Sequence, residues 1–493
     1  MANPSSVKVV EVCRVAPPPP SSPGAFASPS SLPLTFFDIR WLRFGPVQRL
    51  YFYQMPTSSA TPLFFDSVLI PRLKTSLSNT LQHFLPLAGN LTWPQDSQKP
   101  VLSYVQGDAI SLTIAESNAD FYHLSSGDLV EATEYHPLVP ELGASHEQAA
   151  VVALQITVFP NCGFSIGTSM HHAILDGKTS TLFVKSWAHI CKHDDQSNSV
   201  LPDQLKQLYD RRVIQDPAQL GVLYSNSYRN KDGPNNRSLM FWERKPPPGS
   251  IRGTFEFTRA DIETLRQLLK AKLAEQKQED IRSVHVSTFT LACAYTWVCI
   301  VKAEEINSDQ TRLAFNVDCR SRLDPPISPN YFGNCIAGRT AVAETKALFG
   351  EDGLVVAVNA ISEAIKSLEK GVLDGAENWV SRLFAVTSER MLTLAGSHRF
   401  GVSETNFGWG RPKKVEIVSI DRTRAISFSD AKTDAGVVNV GLVLDKHNMQ
   451  VFASLFANIA FSSRKIQAIS DDFDGKEEAT RSLSYMGLLT QGR

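Results

Sequence analysis

The sequence predicts an α/β protein in two domains. Segments with strand and helix patterning alternate in both halves of the chain. A length of 493 residues exceeds what one ordinary core sustains. Between the halves, from about His193 to Ser250, the composition turns polar (DDQSNS, NKDGPNNRS, KPPPGS), as an interdomain crossover does. The expected division is 1–195 for the first domain, 196–250 for the crossover, 251–463 for the second domain and 464–493 for a polar tail.

The elements follow in order. Val7 to Val15 has strand character, and the APPPPSSPGAFASPSS that follows holds neither ladder nor helix, so it is a loop or tether. LPLTFFDIRWLRFGPVQRLYFY, from Leu32, suits a buried turn and then a strand. Leu73, Leu77, Leu81 and Phe84 recur three or four apart and predict a helix that ends before Pro86. Ala150 to Met170 reads as a hairpin: VVALQITVF, the turn PNCG, then GFSIGTSM. After Gly177 the pattern becomes helical, with Leu182, Val184, Trp187 and Ala188. His171 and His172 therefore stand at a strand end just before a helix, held by rigid structure yet open to a cleft.

The second half begins with a strand over Thr254–Phe257. A helix from Asp261 follows, burying Ile262, Leu265, Leu268, Leu269 and Leu273. Ser287 is placed to cap the apolar helix FTLACAYTWVCIVKA. A strand over Arg312–Val317, a helix over Leu354–Leu368, the strands VEIVSI, AISFS and VVNVGLVL, and a helix near Met449–Phe461 complete the half.

Composition excludes some functions. Hydrophobic residues at 43% and charged residues at 20% describe an ordinary globular protein, and a net charge of −1 gives no bulk attraction for nucleic acid or anionic lipid. No run approaches the roughly 18 apolar residues of a membrane span. The seven cysteines are odd in number and form no C-x-x-C pair, as expected of reduced thiols. The expectation is a cytoplasmic monomer that works on small molecules, with neither membrane nor nucleic acid as partner.

Three motif matches fail on context. Gly163-Phe164-Ser165-Ile166-Gly167 fits G-x-S-x-G, but Ser165 lies inside a strand rather than on a strand-to-helix elbow. Gly177-Lys178-Thr179 resembles the end of a phosphate loop but has His172 where the upstream glycine belongs. Gly408-Trp409-Gly410 lacks the third glycine of a dinucleotide fingerprint. His171, His172 and Asp176 have no further ligand at zincin-like spacing nearby, so no metal is expected. His171 reads as a packed core residue.

His172-Ala173-Ile174-Leu175-Asp176-Gly177 matches the HxxxDG motif of the plant BAHD acyltransferases. Asn406-Phe407-Gly408-Trp409-Gly410 resembles the family's DFGWG, and Tyr331-Phe332-Gly333-Asn334-Cys335 its YFGNC, found in the branch acting on anthocyanins and other phenolic glycosides. The resemblance runs from about Lys8 to Ser463. It implies two chloramphenicol-acetyltransferase-like domains, each a mixed sheet with helices, with a channel at their interface.

It also implies acyl transfer from a coenzyme A thioester to an alcohol or amine. His172 would be the general base, since imidazole's ordinary pKa of about 6.5 suits a proton taken near neutrality. Transfer would be direct, in a ternary complex. Asp176 would point away from the site and pair with Arg320, tying the loop to the second domain. Gly177, Asn406, Gly408, Trp409 and Gly410 would support the site's shape; Asn406 replaces the family's usual aspartate, exchanging a charge for an amide. Candidates for the coenzyme phosphates are Lys270, Lys272, Ser287, Arg411, Lys413 and Lys414, each lysine being equally readable as a solvated surface charge. Thr35, Phe36 and Asp38 resemble a family segment near the acceptor. HHAILDGKTSTLFVKSWAHIC and GRPKKVE look most like members that use malonyl-CoA on a sugar hydroxyl of a phenolic or flavonoid glucoside. A hydroxycinnamoyl donor is the runner-up. A catalytically silent relative is the rival of another class, against which the presence of His172 counts.

Overall fold

The computed structural model describes residues 7–19, 29–193, 201–276, 286–385, 391–431 and 437–459. They fall into two compact units. One takes the described residues of Met1–Glu256, Arg312–Ala341 and Ala364–Lys446; the other takes those of Phe257–Thr311, Val342–Glu363 and His447–Arg493.

The first unit is organised on a six-stranded mixed sheet in the order Val7–Val15, Ile110–Ser117, Val152–Phe159, Gly163–Met170, Val47–Gln54, Lys414–Ile417. The predicted hairpin is there, Gly163 opposite Phe159 and Met170 opposite Val152. Every residue of its two strands is buried, which explains why both read as continuous apolar runs rather than as an alternation. Ser165 is fully buried in mid-strand. Close packing accounts for the two glycines that flank the serine match: a Cβ at Gly163 would come 2.1 Å from the Tyr53 carbonyl oxygen, and one at Gly167 would come 2.2 Å from that of Leu138.

The helix Gly177–Lys192 leaves the end of this hairpin and packs on the helix Ile70–Leu81. Leu73, Leu77, Leu81 and Phe84 are fully buried, as their spacing predicts. Each contributes about 1.5–3 kcal/mol of transfer free energy. The Trp187 indole donates to the Leu73 carbonyl and the Ser76 hydroxyl at 3.2 and 3.1 Å, which fixes the two helices in register.

Local structure departs from expectation near Leu32 and across residues 201–250. The turn near Leu32 is a short helix, Phe36–Ile39, because Thr35 and Asp38 form a reciprocal capping box. Residues 201–250 are more than a polar crossover: the helix Leu220–Arg229 buries Tyr224 and Tyr228, four apart on one face, in the first unit. A seven-stranded sheet runs Ile336–Glu344, Gln310–Asp318, Met391–Gly396, Ile426–Asp430, Val438–Asp445, Ser250–Phe257, Val130–Glu131. Four short strands form a third sheet.

In the second unit the helix Arg259–Glu275 starts from a Thr258–Asp261 capping box. The helix Thr288–Ala303 is capped by Ser287, whose hydroxyl accepts from the Thr290 backbone N–H at 3.1 Å. All seven cysteines are free thiols. No helix among the described residues is long and apolar enough to cross a membrane. The predicted strand VEIVSI is shorter than expected, Lys414–Ile417, and gives way to a helical turn at Ile420–Thr423.

Candidate active site

The strand Gly163–Met170 delivers the two histidines into a tight turn, in which the backbone N–H groups of Ile174 and Leu175 both donate to the His171 carbonyl. His171 is fully buried, its Nδ1 accepting from the Ala173 N–H at 3.2 Å and its ring packed 5.1 Å from Phe241. Burial, with His172 next to it, pushes its pKa down to about 3, so the ring is neutral at any ordinary pH.

His172 keeps part of its surface exposed. Its ring stacks on the Trp41 indole, with centroids 4.1 Å apart and planes within 7°. Nδ1 is buried and makes no hydrogen bond among the described residues. No carboxylate therefore orients the ring, and Asp176 is not the third member of a triad. Burial lowers the His172 pKa to about 4; Asp176 and Asn334 oppose the shift and the Arg40 charge adds to it. The imidazole is thus unprotonated, and able to accept a proton, throughout the neutral range.

Two networks hold the loop that carries this ring. The Asn334 amide donates to the His172 carbonyl at 2.9 Å. Asn334 is anchored in turn on Asp38, whose Oδ1 accepts its backbone N–H at 2.9 Å and its side-chain amide at 3.2 Å. The other Asp38 oxygen takes the Thr35 hydroxyl at 2.7 Å and faces Arg211 Nη1 at 3.4 Å. The second network centres on Asp176. One of its oxygens caps the helix Gly177–Lys192 through the Thr179 N–H at 2.8 Å. The other meets Arg320 Nη2 at 2.8 Å and the Cys335 N–H at 3.2 Å. Arg320 also donates to the carbonyls of Gly333 and Tyr331. Burial disfavours its charge, but Asp176 and Asp318 outweigh that and hold it protonated.

The expectation that Asp176–Arg320 ties the loop to the second domain is corrected. Arg320 lies in the segment Arg312–Ala341, within the same compact unit as His172. That segment brings Arg320 and the YFGNC residues to the histidine loop.

The other predicted residues are scattered. Asn406 Oδ1 accepts from the N–H groups of Gly408 and Gly410 at 2.8 and 3.2 Å, so the amide closes the turn by itself. Phe407 is buried edge-on to Trp187, and Trp409 packs edge-on to Phe164 with Arg72 over its face. Gly177 opens the helix and accepts the Thr181 hydroxyl at 2.7 Å. Phe36 and Asp38 are buried, with Thr35 at the edge of burial. Lys414 is engaged inside the protein, donating to the Tyr135 hydroxyl at 2.9 Å and pairing with Glu416 at 3.3 Å. Lys413 covers the Tyr122 ring, and both Lys413 and Arg411 line a surface recess beside Trp409. In the second unit Lys272 pairs with Glu275 and Asp352, Lys270 is exposed, and the Ser287 hydroxyl serves as a helix cap. Among the described residues no three His, Cys, Asp or Glu side chains gather as a metal site.

Trp41 and Arg211 were missed from sequence, and Asn334 was recognised only as a letter of a motif. Trp41 carried no signal beyond its aromatic neighbourhood, since the ring it stacks on, His172, lies 131 positions away along the chain.

Comparison with known proteins gives the chain its family. The Transferase family model matches residues 15–458. Phenolic glucoside malonyltransferase 1 of Arabidopsis thaliana is 40% identical over 466 residues, covering 92% of this chain and 97% of that protein. The malonyl-CoA:anthocyanidin 5-O-glucoside-6''-O-malonyltransferase of the same plant is 40% identical over 468 residues, covering 92% and 98%. Among solved structures, vinorine synthase superposes with a TM-score of 0.66 at 19% identity, over 90% of this chain and 96% of its own, and shares the fold of mixed sheets and helices. With identity at this level sustained over nearly its whole length, the chain belongs to the plant BAHD family of acyl-CoA-dependent acyltransferases.

Proposed function

We propose that the protein transfers a malonyl group from malonyl-CoA to a sugar hydroxyl of a phenolic or flavonoid glucoside, with His172 as general base. The observation that carries the catalytic part is His172 itself: a neutral imidazole with an accessible edge, clamped by Trp41 on its face and by Asn334 on its backbone. Because Nδ1 is buried, Nε2 is assigned as the atom that takes the proton. As the acceptor oxygen attacks the thioester carbon, its proton passes to Nε2. The new C–O bond forms, the C–S bond breaks, and the imidazolium returns its proton to the departing thiolate. Ser165, buried in mid-strand, gives no reason to add a covalent intermediate. The donor and acceptor classes are supported by the activities named for the relatives that share 40% of their residues with this chain.

In this reading Asp176, Arg320, Asn334 and Asp38 position the loop. Asp38, enclosed by Thr35, Asn334 and Arg211, acts from behind the site and not on the acceptor. Arg411 and Lys413 are the candidates left for the coenzyme phosphates in the first unit. The test is incubation of wild type and His172→Ala with malonyl-CoA, acetyl-CoA and a hydroxycinnamoyl-CoA against a panel of phenolic glucosides, read by mass. The expected result is a malonyl ester on a sugar, made by wild type only. Indistinguishable wild type and His172→Ala would overturn the assignment of the base, and preference for the aromatic donor would overturn that of the acyl group.

A further inference from the structure

We infer that Arg40 selects the acyl donor: its guanidinium binds a free carboxylate carried on the acyl group, so that dicarboxylic donors are preferred to neutral ones. This rests on the acyl-CoA reading above and assigns a specificity residue within it.

Arg40 follows directly on the short helix Phe36–Ile39. Its guanidinium carbon lies 4.8 Å from the Trp41 ring and 5.0 Å from the Trp379 ring. Nε and Nη1 are buried and have no hydrogen-bond partner among the described residues. Asp38, two residues away, already holds Thr35, Asn334 and Arg211. Indole faces attract a cation without neutralising it. The contrast with Arg320, which is closed in by Asp176 and Asp318, is direct. Burial draws the Arg40 pKa down only to about 10, so the charge persists at neutral pH.

An uncompensated buried cation is costly, and a fold dispenses with one unless something supplies the counter-charge. The protein also makes room for it: a Cβ at Gly338 would come 2.7 Å from Arg40 Nη2. The position is next to the chemistry, because Trp41 touches both Arg40 and the His172 ring. A malonyl carboxylate carbon is two C–C bonds, about 2.5 Å, from the thioester carbon under attack. It therefore stays within the same small site, and a guanidinium fork matches its two oxygens. The coenzyme phosphates are a whole pantetheine arm further off.

The test compares malonyl-CoA with acetyl-CoA, which differ by that carboxylate, in equilibrium binding to wild type, Arg40→Gln and Gly338→Ala, with transfer followed in parallel. Loss of a charge-assisted pair predicts that the malonyl-to-acetyl affinity ratio falls about tenfold or more in Arg40→Gln. Its Tm should hold or rise, since a buried charge has gone. Gly338→Ala, which displaces the guanidinium without removing it, should lower the ratio part of the way. An equal change for both donors in Arg40→Gln, or wild type that binds the two alike, would overturn the inference. If Arg40→Gln fails to fold, an unchanged ratio in Gly338→Ala overturns it by itself. Selective donor binding without transfer to any hydroxyl would sink the acyl-transfer reading and leave the role of Arg40 standing.

Discussion

The loop His171–Gly177 and the turn Asn406–Gly410 are both short and both carry family motifs, yet they are held by different means. The backbone of the turn is nearly self-sufficient: Asn406 closes it on Gly408 and Gly410, while Phe407 and Trp409 pack against Trp187 and Phe164. The histidine loop borrows almost everything from elsewhere, namely Asn334 for its carbonyl, Arg320 and Cys335 for Asp176, and Trp41 for the ring. A loop that only has to keep its shape can be built from neighbours in sequence. A loop that must aim one ring is fixed from several directions, and in a folded chain those directions come from distant segments.

The largest effect is expected at the ring itself. His172→Ala should reduce kcat by about 10²–10⁴-fold with little change in Tm, as measured by steady-state turnover and thermal unfolding. The acid limb of kcat/KM should fall near pH 4 instead of near 6.5, because the lowered His172 pKa keeps the base unprotonated between those values. The same depression works on stability. As pH drops through 6.5 the unfolded chain protonates His171 and His172 while the folded one does not, so urea midpoints should decline towards pH 4.

Next comes Arg320→Met, which leaves Asp176 buried without its counter-charge and should cost ~3–5 kcal/mol in urea unfolding. Asn334→Ala removes the amide that holds the His172 carbonyl and one of the bonds to Asp38; it should cost about 1–3 kcal/mol and lower kcat more than it raises KM. The smallest effects belong to the turn. Asn406→Ala should cost about 1 kcal/mol, and Asn406→Asp, which keeps the accepting oxygen, less than about 0.5 kcal/mol with activity retained. Equal losses for Arg320→Met and Asn406→Ala would erase the distinction between the two regions.

Much of this was legible in the residues. The hairpin, the helix after Gly177 and the Ser287 cap follow from periodicity and capping chemistry, each confined to a few consecutive positions. Two missed features had local signals as well. Thr35-x-x-Asp38 has the spacing of a capping box, and Lys414 and Glu416 share one face of a strand, which is how a lysine read as a candidate for phosphate becomes part of a buried pair. Tyr224 and Tyr228 stand four apart, as on a helix face, but a polar window hid them.

What the sequence determined by itself is local and chemical: strand and helix alternation, a histidine at a strand end just before a helix, a serine placed to cap an apolar helix, and motifs specific enough to carry the family. Tertiary structure alone decided which ring lies against His172, which carboxylate answers which arginine, and that Arg40 is answered by none among the described residues. The physical reason is distance along the chain. Asn334 reaches Asp38 across 296 positions and His172 across 162, and contacts of that span are set by how whole layers pack, not by any preference a short segment expresses alone.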